Sequence, residues 1–435
     1  MELERLLDAL LCAKPGGIGI REWSLYASEA HRATLGVKDR QAGNAHTPLS
    51  LSHSGGASYL LVWDDGRISR GFLERRQFEG DPSGALEDAL SAAYDDPDAA
   101  QVLGPSEIPE VPLHGARAAK SAGGDTALLA ERLRAIRERV AASGFRTWSG
   151  SFSAGEGEDR LITSAGLDVS GQGTSAGWHV TINGEIGDGF SAREIEPARE
   201  FEARLDRLAQ TAGELERPAA AMPGGIHRVI LHPRVVEGYA LDTLLDNLDG
   251  ATVAHGEGHF RREQFGSDEP VLREDLGLRL DPLLPLRSGS YRFTRQGLPA
   301  ARCTYIERGR LLRPILDLKY ARRLGLRPTP VPYSSDTLFL EGPEPLSLAR
   351  ALELAAGGAL VLSVLGVHTQ DTASGDFSLS APQVLRIGTG GFAGRLKTTI
   401  SGNLFDLLRS DGLDLVLFEG EHTPGLLVDC RLDPK

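Results

Sequence analysis

The sequence predicts a multi-domain α+β protein, with antiparallel-rich sheets and flanking helices. Three observations predict it. The length of 435 residues is enough for two to four domains at about 100–200 residues each. Strand-like runs are joined by short turns, the plainest being Ala57–Trp63 and Arg67–Leu73 around Asp64, Asp65 and Gly66, and Asp-Gly between two β-rich runs is a strong hairpin signal. Two stretches rich in Pro, Gly and Ala, 101–124 and 215–225, read as linkers. They divide the chain into an N-terminal α+β domain (1–100), a middle domain of long antiparallel strands and helices (125–214), and a C-terminal mixed domain (226–435).

Taken in order, residues 2–13 read as a short amphipathic helix with Leu3, Leu6, Leu7, Leu10 and Leu11 in one stripe. Strands are expected at 18–27 and 31–38, then the hairpin. A helix follows with Asp81 or Ser83 as its N-cap and Leu86, Ala89, Leu90 and Ala93 on one face. The middle domain opens with a helix from Thr126 to Ala142 that turns Leu128, Leu129, Leu133, Ile136 and Val140 inward. Strands at 144–153, 158–165, 167–183 and 185–190 and a helix at 195–212 complete it. In the last domain, a strand at 228–231 leads through His232 and Pro233 into a helix to about Asp246, since Pro is favourable in a first helical turn. Residues 251–345 read as strands and loops. A helix at 347–356 has Ser347 as its N-cap, and 359–365 is a short buried strand. A helix at 404–408 and strands at 413–418 and 425–432 close the chain.

Composition excludes several classes. No apolar run approaches the ~20 residues a membrane span needs. The start is acidic and amphipathic, so no signal peptide is expected. Cys12, Cys303 and Cys430 are scattered, which fits a reducing cytoplasm and not a disulfide framework or a cysteine-rich zinc site. The net charge of −13 disfavours direct binding to nucleic acid.

The richest polar cluster follows the strand 359–365. His368, Thr369, Asp371, Gly375, Asp376 and Ser378 fall within eleven positions. Phe377 and Leu379 alternate with Ser378 and Ser380, so the apolar pair shares one face of a strand. Asp376 is expected to accept backbone hydrogen bonds. The cluster reads as a candidate site for a peptide or partner, which a Gly-rich backbone can take up by strand addition. The structural alternative is a loop whose Asp and Ser side chains bond their own backbone. A Ser-His-Asp hydrolase built on Ser378, His368 and Asp371 is a further alternative, and triads are recognised by geometry alone.

Gly366, His368 and Thr369, then Gly375, Asp376, Phe377 and Ser378, then Thr399, Ile400, Ser401, Gly402 and Asn403 before a helix, together resemble the C-terminal domain of the TldD/PmbA (TldE) family. Members were first described as modulators of DNA gyrase and are understood as paired subunits of a zinc metallopeptidase. The active subunit carries His-Glu-x-x-x-His on a helix, where two imidazoles one turn apart bind zinc and the Glu activates water. None of the eleven His residues here is followed by Glu, and the corresponding helix, from Pro233, has no imidazole after His232. The resemblance therefore implies a TldE-like, non-catalytic subunit. It would hold no cofactor, with zinc in a TldD-like partner, and would help enclose a cavity for unfolded or leader peptides. The alternative is a stand-alone peptide-binding or scaffold homodimer. The chain departs from the family at Phe293–Gly297 and Arg327–Ser335, which suggests a divergent branch.

Three further motifs have plainer readings. His255, Glu257 and His259 are possible metal ligands at spacing two, set among glycines that suit a polar loop better. Gly173–Gly177 matches G-x-S-x-G, but a strand-like run follows where a nucleophile elbow needs a helix. Gly388–Gly394 is glycine-rich without dinucleotide spacing.

Overall fold

The computed structural model describes residues 7, 8, 12, 14–41, 49–74, 83–145, 147–183 and 185–434. It is a mixed α+β structure built on three sheets. Most of the expected helix 2–13, and the proposed cap Asp81, lie outside the described residues.

The first sheet has the order β3-β2-β1-β4-β5-β6. Its strands are β1 (Ile20–Gln41), β2 (Leu49–Trp63), β3 (Ile68–Glu74), β4 (Thr147–Thr163), β5 (Asp168–Ile182) and β6 (Ile186–Ala192). The strands expected at 18–27 and 31–38 are one strand, and those at 144–153 and 158–165 are another. The polar middle of each suggested a break. The alternation nevertheless continues: Trp23, Leu25 and Ala27 face one core, Ala33, Leu35 and Val37 a second, with Glu29 and His31 between them on the same face. β1 pairs with β4 from Ser24↔Thr163 to Gln41↔Thr147, so one sheet runs across the boundary drawn between residues 100 and 125. The 101–124 stretch is not wholly a linker either. It contains helix α2 (Ala116–Ala122), which follows α1 (Ser83–Ser91) and precedes α3 (Ala127–Ala142). Leu129, Leu133, Ile136 and Val140 of α3 are buried as expected, while Leu128 is half-buried. α4 (Ala198–Leu215) buries Phe201, Leu205, Leu208, Ala212 and Leu215 at helical spacing.

The C-terminal sheet has the order β12-β16-β17-β15-β14-β13-β7, and β17 also pairs with β7, so it closes on itself. Its strands are β7 (Gly225–Leu231), β12 (Leu346–Ser347), β13 (Ala359–Leu365), β14 (Asp376–Gly388), β15 (Gly391–Asn403), β16 (Asp414–Leu417) and β17 (Gly425–Pro434). A four-stranded sheet, order β10-β9-β8-β11, contains β8 (Gly277–Leu280), β9 (Cys303–Glu307), β10 (Arg310–Leu311) and β11 (Leu338–Glu341). The helix after β7, α5, runs as Pro233–Val235, a wide π-type stretch Val236–Leu241, and Asp242–Leu248. Two helices in the region expected to be strands and loops went unread: α6 (Gly250–His255) and α7 (Leu318–Leu324). Each is only two turns, too short to show an apolar period. α8 (Leu348–Leu354) is capped as expected, with Ser347 Oγ accepting from the Arg350 N–H at 3.2 Å, and α9 (Leu404–Arg409) completes the set.

Alternate side chains of the C-terminal strands face two different cores. Val229, Leu231, Val361 and Leu379 join α5, α9 and the small sheet. Ile230, Leu360, Leu362 and Leu385 join α3, α4 and the first sheet. No helix among the described residues is long and apolar enough to cross a membrane.

Candidate functional site

The motif residues around Gly366 and Asn403 meet at one junction. β14 and β15 pair Asp376↔Asn403, Phe377↔Gly402 and Ser378↔Ser401. Phe377 is buried and sits edge-on to Tyr239 of α5, ring centroids 5.2 Å apart. Gly402 makes room for it, since a Cβ there would lie 3.1 Å from Phe377 Cζ. Gly375 has φ 74°, and a Cβ would lie 2.4 Å from the Phe405 ring, so both backbone conformation and space demand glycine. Asn403 Nδ2 donates to the Ser374 carbonyl (2.9 Å) and to Asp376 Oδ1 (2.8 Å), while its Oδ1 accepts from the Asp406 N–H (3.1 Å) as the N-cap of α9. Asp376 therefore accepts from a side-chain amide, and not from the backbone groups expected of it.

The rest of the cluster is built of local bonds. Asp371 Oδ1 accepts from the Ala373 N–H (3.0 Å), and Thr369 Oγ1 donates to the Gly366 carbonyl (2.8 Å). Gln370 donates to that carbonyl (2.9 Å) and accepts from the Ser378 N–H (2.9 Å). Among the described residues no hydrogen bond joins His368, Asp371 and Ser378, so the geometry of a catalytic triad is not assembled. His368 lies near the exposed face of α5, where its proximity opposes the upward shift that burial and neighbouring carboxylates impose on Asp242.

A large cavity lies on the Leu360 and Leu362 face of the β13–β14 layer. It occupies about 1530 Å³ between the C-terminal sheet, α4 and the β5–β6 hairpin. Leu360, Leu362, Leu365, Leu385, Phe392 and Phe418 supply its apolar wall. Of the motif segment 366–378, Val367 reaches it; His368, Thr369, Asp371, Gly375, Asp376 and Ser378 are not among its lining. Phe377 and Leu379 point into the opposite core, so Asp376 and Ser378 share the cavity's face of β14, but they lie at the strand end, beyond the lining at Pro382 and Gln383. At one end of the cavity, Arg234 pairs with buried Asp188, and Arg204 bonds Glu196 (2.8 Å) and Glu421 (3.2 Å). Burial pushes the Glu421 carboxyl up. His232 also lines the cavity, its Nδ1 accepting from the Arg234 N–H (3.3 Å). Burial, and then the Arg234 charge, lowers its pKa to about 3, so it is a neutral imidazole near pH 7.

α5 carries half-buried Glu237 and exposed Asp242 and Asp246, carboxylates without an imidazole beside them on the helix. Glu237 Oε1 accepts from Thr423 Oγ1 (2.6 Å). This donor set does not fit a peptidase zinc, which takes two imidazoles from one helix and a third ligand. His255, Glu257 and His259 do not converge either. His255 ends α6, and Gly256 turns away at φ 68°. His255 Nε2 lies 3.3 Å from Arg323 Nη1. His259 stacks on Phe405 at 3.7 Å, with Nε2 3.0 Å from Arg409 Nη2. Gly173–Gly177 lies inside β5, with no helix after it. The divergent Phe293 packs with Leu161 and Leu167 against β4.

No local sequence pattern marks the cavity or its charged end at Asp188, Arg234 and Glu421. The parity of β13 was legible; that α4 and the β5–β6 hairpin stand off from it was not.

Residues 224–429 match the family model described as the PmbA/TldA metallopeptidase C-terminal domain. Solved structures extend the likeness to the whole fold. A protein from Thermotoga maritima described as a candidate modulator of DNA gyrase is 20% identical, with 99% of this chain and 100% of that chain covered and a TM-score of 0.77. One so described from Bacteroides thetaiotaomicron is 18% identical, covering 98% and 97%, with a TM-score of 0.75. TldE from Thermococcus kodakarensis is 16% identical, covering 95% and 97%, with a TM-score of 0.74. No curated protein matches the sequence.

Proposed function

Taking as premise that residues 224–429 are a PmbA/TldD-family C-terminal domain in a chain with the TldE fold, we propose that this protein is the non-catalytic, TldE-like subunit of a cytoplasmic zinc metallopeptidase. Its substrate class is unfolded or leader peptide. The observation that carries this reading is the face of α5. Glu237, Asp242 and Asp246 stand where an active subunit would present imidazoles, and His232, the imidazole at the helix start, is spent on capping and packed beside Arg234. Without two imidazoles one turn apart, α5 cannot hold the ion that lowers the pKa of a water at the peptidase site. The zinc, its ligands and the general base belong to a TldD-like partner.

The chain's own contribution is binding. An apolar wall of Leu362, Leu365 and Phe418 beside fixed charges at Asp188, Arg234 and Glu421 suits an extended peptide, whose side chains alternate between apolar and polar surroundings. Ordering such a peptide in a cavity walled by rigid sheet lowers the entropic cost of presenting it to the partner.

The test is hydrolysis of an unstructured peptide, followed by mass spectrometry, with this chain alone, with a TldD-like partner alone, and with both. Cleavage is expected only from the mixture, and not when the partner's motif Glu is changed to Gln. Cleavage by this chain alone overturns the assignment. Peptide binding by a self-associated chain that ignores every such partner would make it a stand-alone binding homodimer instead.

A further inference from the structure

The waist of the first sheet holds a group of side chains that the peptidase reading does not use. β1 crosses from the core around Trp23, Leu25 and Ala27 to the core around Ala33, Leu35 and Val37. Between them, on the same face, stand Glu29 and His31. His31 is the register partner of His53 on β2, and directly paired residues point to the same side of a sheet. The two imidazoles stack with centroids 4.2 Å apart and planes 15° from parallel. Glu29 Oε1 lies 2.6 Å from His53 Nε2. One donor atom from each of Glu29, His31 and His53 falls within 4.8 Å of the others, the one such trio of His, Cys, Asp and Glu among the described residues.

We propose that Glu29, His31 and His53 form a binding site for one divalent transition-metal ion. Two imidazoles and a carboxylate are the borderline donors that Zn²⁺, Co²⁺ and Ni²⁺ prefer. Nitrogens bound to one tetrahedral zinc at ~2.0–2.1 Å lie roughly 3.3 Å apart, so the set closes when one ring turns about its side-chain torsions out of the stack and both lone pairs meet at the ion. His31 and His53 are exposed. The surroundings favour a cation. On β4, Glu156 is the register partner of His31 and Glu158 that of Glu29, and His114 Nε2 sits 2.7 Å from Glu156 Oε1. The ligands come from both strands of a hairpin whose hydrogen-bonded ladder already fixes their spacing, so binding needs no backbone rearrangement. The ion would clamp β1 to β2 where neither core holds them together.

The experiment uses the full chain stripped of metal, titrated with Zn²⁺ by calorimetry and with Co²⁺ by visible absorption. One saturable equivalent is expected, with a rise in melting temperature on Zn²⁺ addition. H31Q and H53Q should each weaken binding at least tenfold and cancel the melting shift, with folding verified by circular dichroism. E29Q, the variant gentlest to the fold, should weaken binding several-fold. H255Q/H259Q should bind as the parent does. Absence of a saturable equivalent, or binding that survives in H31Q/H53Q, overturns the proposal. So does binding lost from a folded H255Q/H259Q.

Discussion

Asn403 Nδ2 donates to Asp376 Oδ1 at 2.8 Å, and this bond joins the two most recognisable motifs of the chain. It ties the first residue of β14 to the last residue of β15, at the point where α9 begins. The polar cluster is thus a structural clasp at its C-terminal end. Its exposed end, at His368, is the part free to meet a ligand or partner.

Asn403→Ala removes an N-cap acceptor and strands the Ser374 carbonyl and the Asp376 carboxylate. Loss of a cap costs about 0.5–2 kcal/mol, while the exposed Asp376 carboxylate and half-buried Ser374 carbonyl can turn to water. Denaturant unfolding should therefore show a loss of about 0.5–2 kcal/mol. Asn403→Asp keeps the cap but sets two carboxylates together, and should also unfold more readily than the parent. A parental midpoint for both variants would exclude the clasp.

Phe377→Ala opens a cavity beside Tyr239 in the larger C-terminal core. Such truncations cost about 3–5 kcal/mol. The complementary change, Gly402→Ala, presses a methyl to 3.1 Å from the same ring and should cost less, because an aromatic ring can give by a few tenths of an ångström. The ordering of the two melting temperatures is the measurement. Gly402→Ala melting below Phe377→Ala would contradict it.

His232 gives the fold a defined response to acid. Its folded-state pKa is lowered from 6.5 to about 3, so between those values the unfolded chain binds a proton that the native chain refuses. Stability then rises with pH across the window and is lost as pH falls below about 6.5. At pH 5 this amounts to up to about 2 kcal/mol. The raised Glu421 and Glu196 carboxyls act in the opposite sense, in a window that starts at their ordinary value and extends above it, so the histidine's share is read from the difference between parent and variant slopes. His232→Asn should flatten the pH dependence of unfolding between about pH 5 and 7. An unchanged slope would show that the imidazole is solvated.

Leu365 lines the cavity yet is 60% exposed, which makes it a surface for a bound chain and not a support of the core. Leu365→Glu should leave the unfolding free energy within about 0.5 kcal/mol of the parent, as surface changes generally do. On the proposed function it should raise the KM of the mixture with a TldD-like partner for unstructured peptide several-fold with kcat little changed, the pattern of lost uniform binding. Equal KM values for variant and parent would place the peptide elsewhere.

By itself the sequence determined the alternating faces. Phe377 and Leu379 against Ser378 and Ser380, Leu129 to Val140 along α3, the cap at Ser347 and the hairpin at Gly66 all follow from local periodicity and turn chemistry, which neighbouring residues encode. The missing imidazoles after His232 were equally legible, because a motif's absence needs no coordinates. Tertiary structure decided what those faces meet. It made one strand of Ile20–Gln41 by giving its two apolar ends separate cores across a polar waist. It put the cavity farther along β14 than the strand end that bears the motif, and it brought His31 to His53 through strand register. These are pairings between residues distant in the chain, selected by how whole sheets and helices bury their apolar faces, and no window along the sequence contains both partners.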